Sequence, residues 1–191
     1  MNTIKKNNEI KNLTAASICL ALCMLLPFLT GQIPHIGQAL APMHIPVLLC
    51  AFICGPRYAT IVGLTSPILR LMIFGMPPPF MAITMCFELA AYGLVAGVLY
   101  MLLPKKPLYI YVSLIAAMLL GRIVWGLAAL QLSLSAVFPA LPFGWESFSW
   151  DVFVSAAFIT AVPGIVLHII LIPLVVIALQ KAKLIESQPD N

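Results

Sequence analysis

Residues 42–97 read PMHIPVLLCAFICGPRYATIVGLTSPILRLMIFGMPPPFMAITMCFELAAYGLVAG. Two turn signals cut the stretch, Gly55-Pro56 and Gly75-Met76-Pro77-Pro78-Pro79, and the runs between them are largely apolar. A few isolated ionisable residues remain: His44, Arg57, Arg70 and Glu88. In a water-soluble domain such runs would be core strands or core helices. In lipid they are spanning helices, and an ionisable side chain inside one requires a partner, a cavity or a function.

Composition decides between these readings. Hydrophobic residues make up 62% of the chain and charged residues 8%, with a mean hydropathy of +1.08. A soluble domain is roughly half apolar and about a quarter charged. The 191 residues suit one domain. The expected fold class is an all-α integral membrane protein, because the repeated alternation of a membrane β-barrel is missing from the sequence. A net charge of +4 does not point to nucleic acid, since the basic residues are scattered in ones and twos. Cys19, Cys23, Cys50, Cys54 and Cys86 all lie in apolar runs without metal-site spacing. They read as small buried residues.

Working outward from the opening stretch, residues 1–12 form a loose polar cytoplasmic segment. Six spanning helices are expected over residues 13–30, 43–54, 58–74, 80–103, 108–137 and 151–181, within a transmembrane domain of residues 13–181. A polar tail of residues 182–191 follows. The first helix has the basic start and apolar run of a secretion signal, but no small-x-small cleavage site closes it, so it reads as an uncleaved span. The second helix is short against the ~20 residues a bilayer usually needs. Orientation follows from the basic residues. Lys5, Lys6, Lys11, Arg57, Lys105, Lys106, Lys181 and Lys183 all fall on one side of such a bundle, while loops 31–42, 75–79 and 138–150 have no Lys or Arg. The positive-inside rule then places both termini in the cytoplasm of a multi-pass protein of the cell membrane.

Binding-type residues gather toward the opposite, outward side. Loop 31–42 carries Gln32, His35 and Gln38, with His44 at its far edge, and loop 138–150 carries Trp145 among other aromatics and carboxylates. These could close over a ligand. The later loop equally suits an aromatic belt at the lipid interface with a helix cap from Ser149 or Asp151. Glu88 is the most informative residue. It lies ~12 Å along its helix from Phe80, and Thr84, Glu88 and Tyr92 share a face at i, i+4 spacing. Arg122 and Trp125 share a face of the fifth helix, where a guanidinium beside an indole can hold a carboxylate, a phosphate or a planar ring. Glu88 and Arg122 either meet a ligand or pair with each other. Arg70 is near enough to the end of its helix to snorkel to the outer interface or to bind a ligand. His168, after Thr160 and Gly164 on one face, reads as a packing or hydrogen-bonding residue. Gly93-x-x-x-Gly97 and Ser17-x-x-x-Ala21 are small-residue pairs that allow close helix approach.

No His-Glu-x-x-His, Gly-x-Ser-x-Gly or Gly-x-x-x-x-Gly-Lys pattern occurs, so the sequence offers no enzyme signature and no cofactor site, and the chain is not itself an ATPase.

Residues 13–22 (LTAASICLAL), residues 43–56 (MHIPVLLCAFICGP), Gly63-Leu64-Thr65-Ser66-Pro67 and Glu88-Leu89-Ala90-Ala91-Tyr92-Gly93 together resemble the substrate-binding S component of an energy-coupling factor (ECF) transporter. The resemblance spans nearly the whole chain. It implies a six-helix S-component-like bundle that captures a vitamin or vitamin precursor from outside. It also implies partners, a transmembrane coupling protein and two ATPases, and an outward pocket built by the fourth to sixth helices and capped by outer loops. Glu88, Arg122, Trp125, Thr84, Tyr92, Arg70, Gln38, His44 and Trp145 are the expected ligand residues. Ser17 and Ala21 stand where the family carries an Ala-x-x-x-Ala docking motif, with one residue changed. The His-containing start of the family's metal-binding branch is missing, so no metal site is expected. Pantothenate, a pyridoxine-type ring and a pyrimidine precursor suit the pocket equally. A stand-alone secondary transporter and a ligand-free membrane scaffold remain alternatives.

Overall fold

The computed structural model describes residues 2–29, 39–104, 106–134, 155, 159–182 and 185. Among these lie six principal helices: α1 (Asn2–Leu29), α2 (His44–Cys54), α3 (Pro56–Phe74), α4 (Pro79–Leu102), α5 (Pro107–Leu134) and α6 (Val162–Lys181). The turn signals of the opening stretch end the helices where expected. Gly55 takes φ 86° between α2 and α3, and Gly75 takes φ 68° after α3, donating its N–H to the Leu71 carbonyl. Both are left-handed values that favour glycine. Pro56, Pro79 and Pro107 each open a helix, where a missing N–H costs nothing.

Two features differ from the sequence expectation. First, α1 begins at Asn2, so the segment read as a loose start is helical. It contains no Gly or Pro to stop the helix from propagating toward the N-terminus. Only Glu9–Leu29 is apolar enough to count as a candidate span. Second, α2 is an interior helix. Its 11 residues reach ~16 Å, and His44, Ile45, Pro46, Val47, Leu48, Cys50, Ala51, Phe52 and Cys54 are all buried. It packs on α1, α3, α4 and α6. A helix apolar all round is a buried helix, and here protein rather than lipid surrounds it.

Among the described residues four helices are long and apolar enough to cross a membrane: Glu9–Leu29 of α1, together with α4, α5 and α6. α3, whose two arginines lower its hydropathy, is not among them. The outward faces of these helices are apolar, with Leu25, Ile61, Met101, Ile123, Leu127 and Leu174 all more than half exposed, as lipid contact requires. The chain is a membrane protein.

The tightest packing runs along α3 and α4. A Cβ at Gly63 would come within 2.5 Å of the Leu89 backbone, one at Gly93 within 2.6 Å of the Ala59 backbone, and one at Gly97 within 2.6 Å of Pro56. The Gly93-x-x-x-Gly97 pair thus serves this contact within the chain. In lipid, backbones come this close only where side chains are missing. At the far end of the bundle, Gln180 of α6 donates to the Tyr100 hydroxyl of α4 at 2.8 Å, and the Tyr100 ring meets Phe52 edge-on.

Candidate functional site

Glu88 lies nine residues into α4, ~14 Å from its start. Its side chain is 2% exposed, and the neighbours of its carboxylate come from α2, α4 and α5. Arg122 Nη1 of α5 is 2.9 Å from Glu88 Oε1. The Tyr92 hydroxyl, one turn further along α4, donates to the same oxygen at 3.1 Å. His44, the first residue of α2, places Nε2 at 3.5 Å from that oxygen without making a hydrogen bond to it. The His44 ring lies 5.1 Å from the Tyr92 ring and 5.9 Å from the His168 ring of α6, to which it is nearly parallel at 22°. His168 bonds to the Ala41 backbone.

Small residues make these approaches possible. A Cβ at Gly121 would run into the Tyr92 ring, so the tyrosine occupies the space that Gly121 leaves beside Arg122. A Cβ at Gly164 would come within 2.5 Å of the Ala39 carbonyl, so α6 lies directly against the segment leading into α2. That segment carries Ala41 at φ 44°, an uncommon value for a residue with a Cβ.

The site therefore unites Glu88, Arg122, Tyr92 and His44, all expected from sequence. Thr84 is one turn before Glu88 on α4. It is buried, and its hydroxyl donates to the Phe80 and Met81 carbonyls at 3.2 and 3.1 Å. Trp125 is half-buried on α5, one turn after Arg122. Gln38 and Trp145, with Gln32 and His35, lie outside the described residues. Arg70 is placed elsewhere. Instead of snorkelling outward it is 4% exposed, donates to the Met24 carbonyl of α1 at 2.7 Å, and stacks 5.0 Å from the Phe28 ring and 5.4 Å from the Phe74 ring. A carbonyl and two aromatic faces satisfy this cation at the α1–α3 contact. His168, read from sequence as a packing residue, joins the site by stacking on His44. Gly164 one turn before it was the available signal, marking the face that something must approach. Ser17 and Ala21 are exposed on α1, and the Ser17 hydroxyl bonds back to the Leu13 carbonyl at 2.9 Å.

Chemically, a carboxylate, a guanidinium, a phenol and two imidazoles enclosed by an apolar bundle make a polar cluster with both donors and acceptors. Among the described residues no group of three or more His, Cys, Asp or Glu is arranged to hold a metal ion.

Comparison with known families settles the class. The family model for the ECF transporter substrate-specific component matches residues 11–179. The chain belongs to this family. It is thus a transporter component rather than an enzyme. Membership carries with it a small substrate and association with a coupling protein and ATPases, as substrate-specific components have. No curated protein and no solved structure matches the chain significantly.

Proposed function

We propose that this substrate-specific component captures a small water-soluble vitamin or vitamin precursor on the outward side of the cell membrane and delivers it through a coupling protein driven by two ATPases. The observation that carries the proposal is the buried constellation of Glu88, Arg122, Tyr92 and His44, drawn from three helices onto one carboxylate oxygen. Polar groups this costly inside a membrane protein mark substrate sites. Thr84 and Trp125 extend the pocket along α4 and α5, Gln38 and Trp145 contribute to ligand binding, and Ser17 and Ala21 on α1 dock the coupling protein.

The deciding experiment is calorimetric titration of the purified protein in detergent, without ATP, against the molecules found by mass spectrometry to survive purification with it. Tight binding is expected, because the polar site is on this chain and no nucleotide site is. A requirement for ATP or for other subunits would end the proposal.

The proposed topology is a six-helix membrane bundle with the short α2 enclosed in it, both termini in the cytoplasm and the Lys-free loops outside. Single cysteines placed in a cysteine-free background should be labelled only from the cytoplasm at position 105 and only from outside at position 144. Labelling of both from one side would exclude this arrangement.

A further inference from the structure

His44 and His168 are each 3% exposed, yet among the described residues both carry ring nitrogens with no hydrogen-bond partner. Buried polar atoms are nearly always bonded, so an orphaned pair on two stacked rings calls for a group that arrives from elsewhere. The chemistry of each orphan follows from its neighbours. His168 gives its bonded N–H to the Ala41 backbone, which leaves Nε2 as the unpartnered atom. In the neutral ring that nitrogen is a bare lone pair. His44 turns Nε2 toward Glu88 Oε1, and a carboxylate oxygen only accepts. Neither His44 nitrogen makes a hydrogen bond among the described residues, but a carboxylate 3.5 Å away favours a proton rather than a lone pair on the nitrogen that faces it, which leaves Nδ1 as the bare nitrogen.

The charged residues of the site point the same way. Glu88 and Arg122 neutralise each other at 2.9 Å. An ion entering beside them would place an uncompensated charge among buried side chains, which is strongly disfavoured. What the site lacks is hydrogen-bond donors for two imidazole lone pairs.

We propose that the substrate is recognised through His44 Nδ1 and His168 Nε2, and that it carries no net charge and at least two N–H or O–H donors. This rests on the capture function proposed above and specifies its substrate class. The histidines, from α2 and α6, select the ligand, while the Glu88–Arg122 pair holds α4 and α5 together behind them. The two histidines alone do not make up the three-residue group that a metal ion would need among the described residues, so donors suit the lone pairs better than a cation does.

The test is calorimetry on the full chain in detergent with four probes: pyridoxine and a hydroxymethyl aminopyrimidine, neither with a net charge, pantothenate as a hydroxyl-bearing anion, and nickel chloride. At least one of the two uncharged probes should bind, and pantothenate and nickel should not. His168→Leu should weaken that binding at least about tenfold, and His168→Gln, whose amide oxygen can accept in place of Nε2, should restore most of it. A merely structural histidine would not give this split between acceptor-bearing and acceptor-free variants. Should His168→Leu fail to fold, His44→Leu and His44→Asn provide the same comparison at Nδ1. The proposal is overturned if pantothenate or nickel alone binds, or if an uncharged probe binds His168→Leu as well as the parent. If no probe binds, the molecule that survives purification decides. An anionic or donor-free one refutes the substrate class and leaves the capture function standing, whereas an uncharged donor-bearing one lost from His168→Leu supports both. No binding and no co-purified molecule would refute the capture function itself.

Discussion

Arg122→Ala is expected to destabilise the folded protein by about 3–5 kcal/mol, read as a large drop in its thermal-melt midpoint in detergent. The guanidinium is 2.9 Å from a carboxylate that is 2% exposed. Removing it leaves Glu88 with the Tyr92 hydroxyl and the more distant His44 as its remaining neighbours in the site. A hydrogen bond from a neutral hydroxyl does not replace the lost countercharge of a buried carboxylate. Glu88→Gln should cost less than Arg122→Ala, because the amide retains an oxygen that can accept from Tyr92. The double variant should recover part of the single-variant loss, giving a coupling energy in a double-mutant cycle. Variants that remain folded should also bind ligand at least tenfold more weakly, about 1.4 kcal/mol, since the pair fixes α4 against α5 at the site. Single variants that melt like the parent while losing only affinity would show that the pair does not hold the bundle together, and that both charges address the ligand.

Ser17→Leu and Ala21→Leu are expected to abolish ATP-driven uptake and co-purification with the coupling module while leaving ligand binding by the isolated protein unchanged. Both positions are exposed on α1, whereas the site is assembled by α2, α4, α5 and α6. Apolar helices gain little from meeting in lipid, which is as apolar as they are, so a docking face relies on small side chains and close backbone approach. A leucine at either place holds the partner helix away. Neither change should alter the melt of the isolated subunit, because neither side chain is enclosed by the fold. Lost binding with intact assembly would mean that α1 lines the pocket. Unchanged uptake in both variants would place the docking face elsewhere on the bundle.

Much of the site was legible in advance because a charge within an apolar run stands out. Glu88 and Arg122 were conspicuous for that reason alone, and Tyr92 followed from its i, i+4 relation to Glu88. His44 was legible from its place at the start of a helix next to a polar loop. Arg70 looked equivalent by the same criterion, yet its partners are Met24, Phe28 and Phe74 at the α1–α3 contact. A buried arginine announces only that it needs a partner. Which partner it finds depends on the rotation of α3 about its own axis, which no run of residues within α3 specifies.

By itself the sequence determined the solvent in which this chain folds and the breaks between its helices. Its hydropathy excludes a soluble fold, and Gly55-Pro56 and Gly75 to Pro79 interrupt the runs where α2, α3 and α4 begin or end. These features are legible because a helix in lipid must satisfy its backbone internally, so each helix is a local event governed by local residues. The tertiary structure alone decided that α2 is enclosed by its neighbours, that Gly121 makes room for Tyr92, and that His44 stacks on His168. A short apolar helix reads the same whether lipid or protein surrounds it. Contacts between residues far apart in the chain depend on how helices cross and rotate against one another, and that is fixed by the packing of the whole bundle.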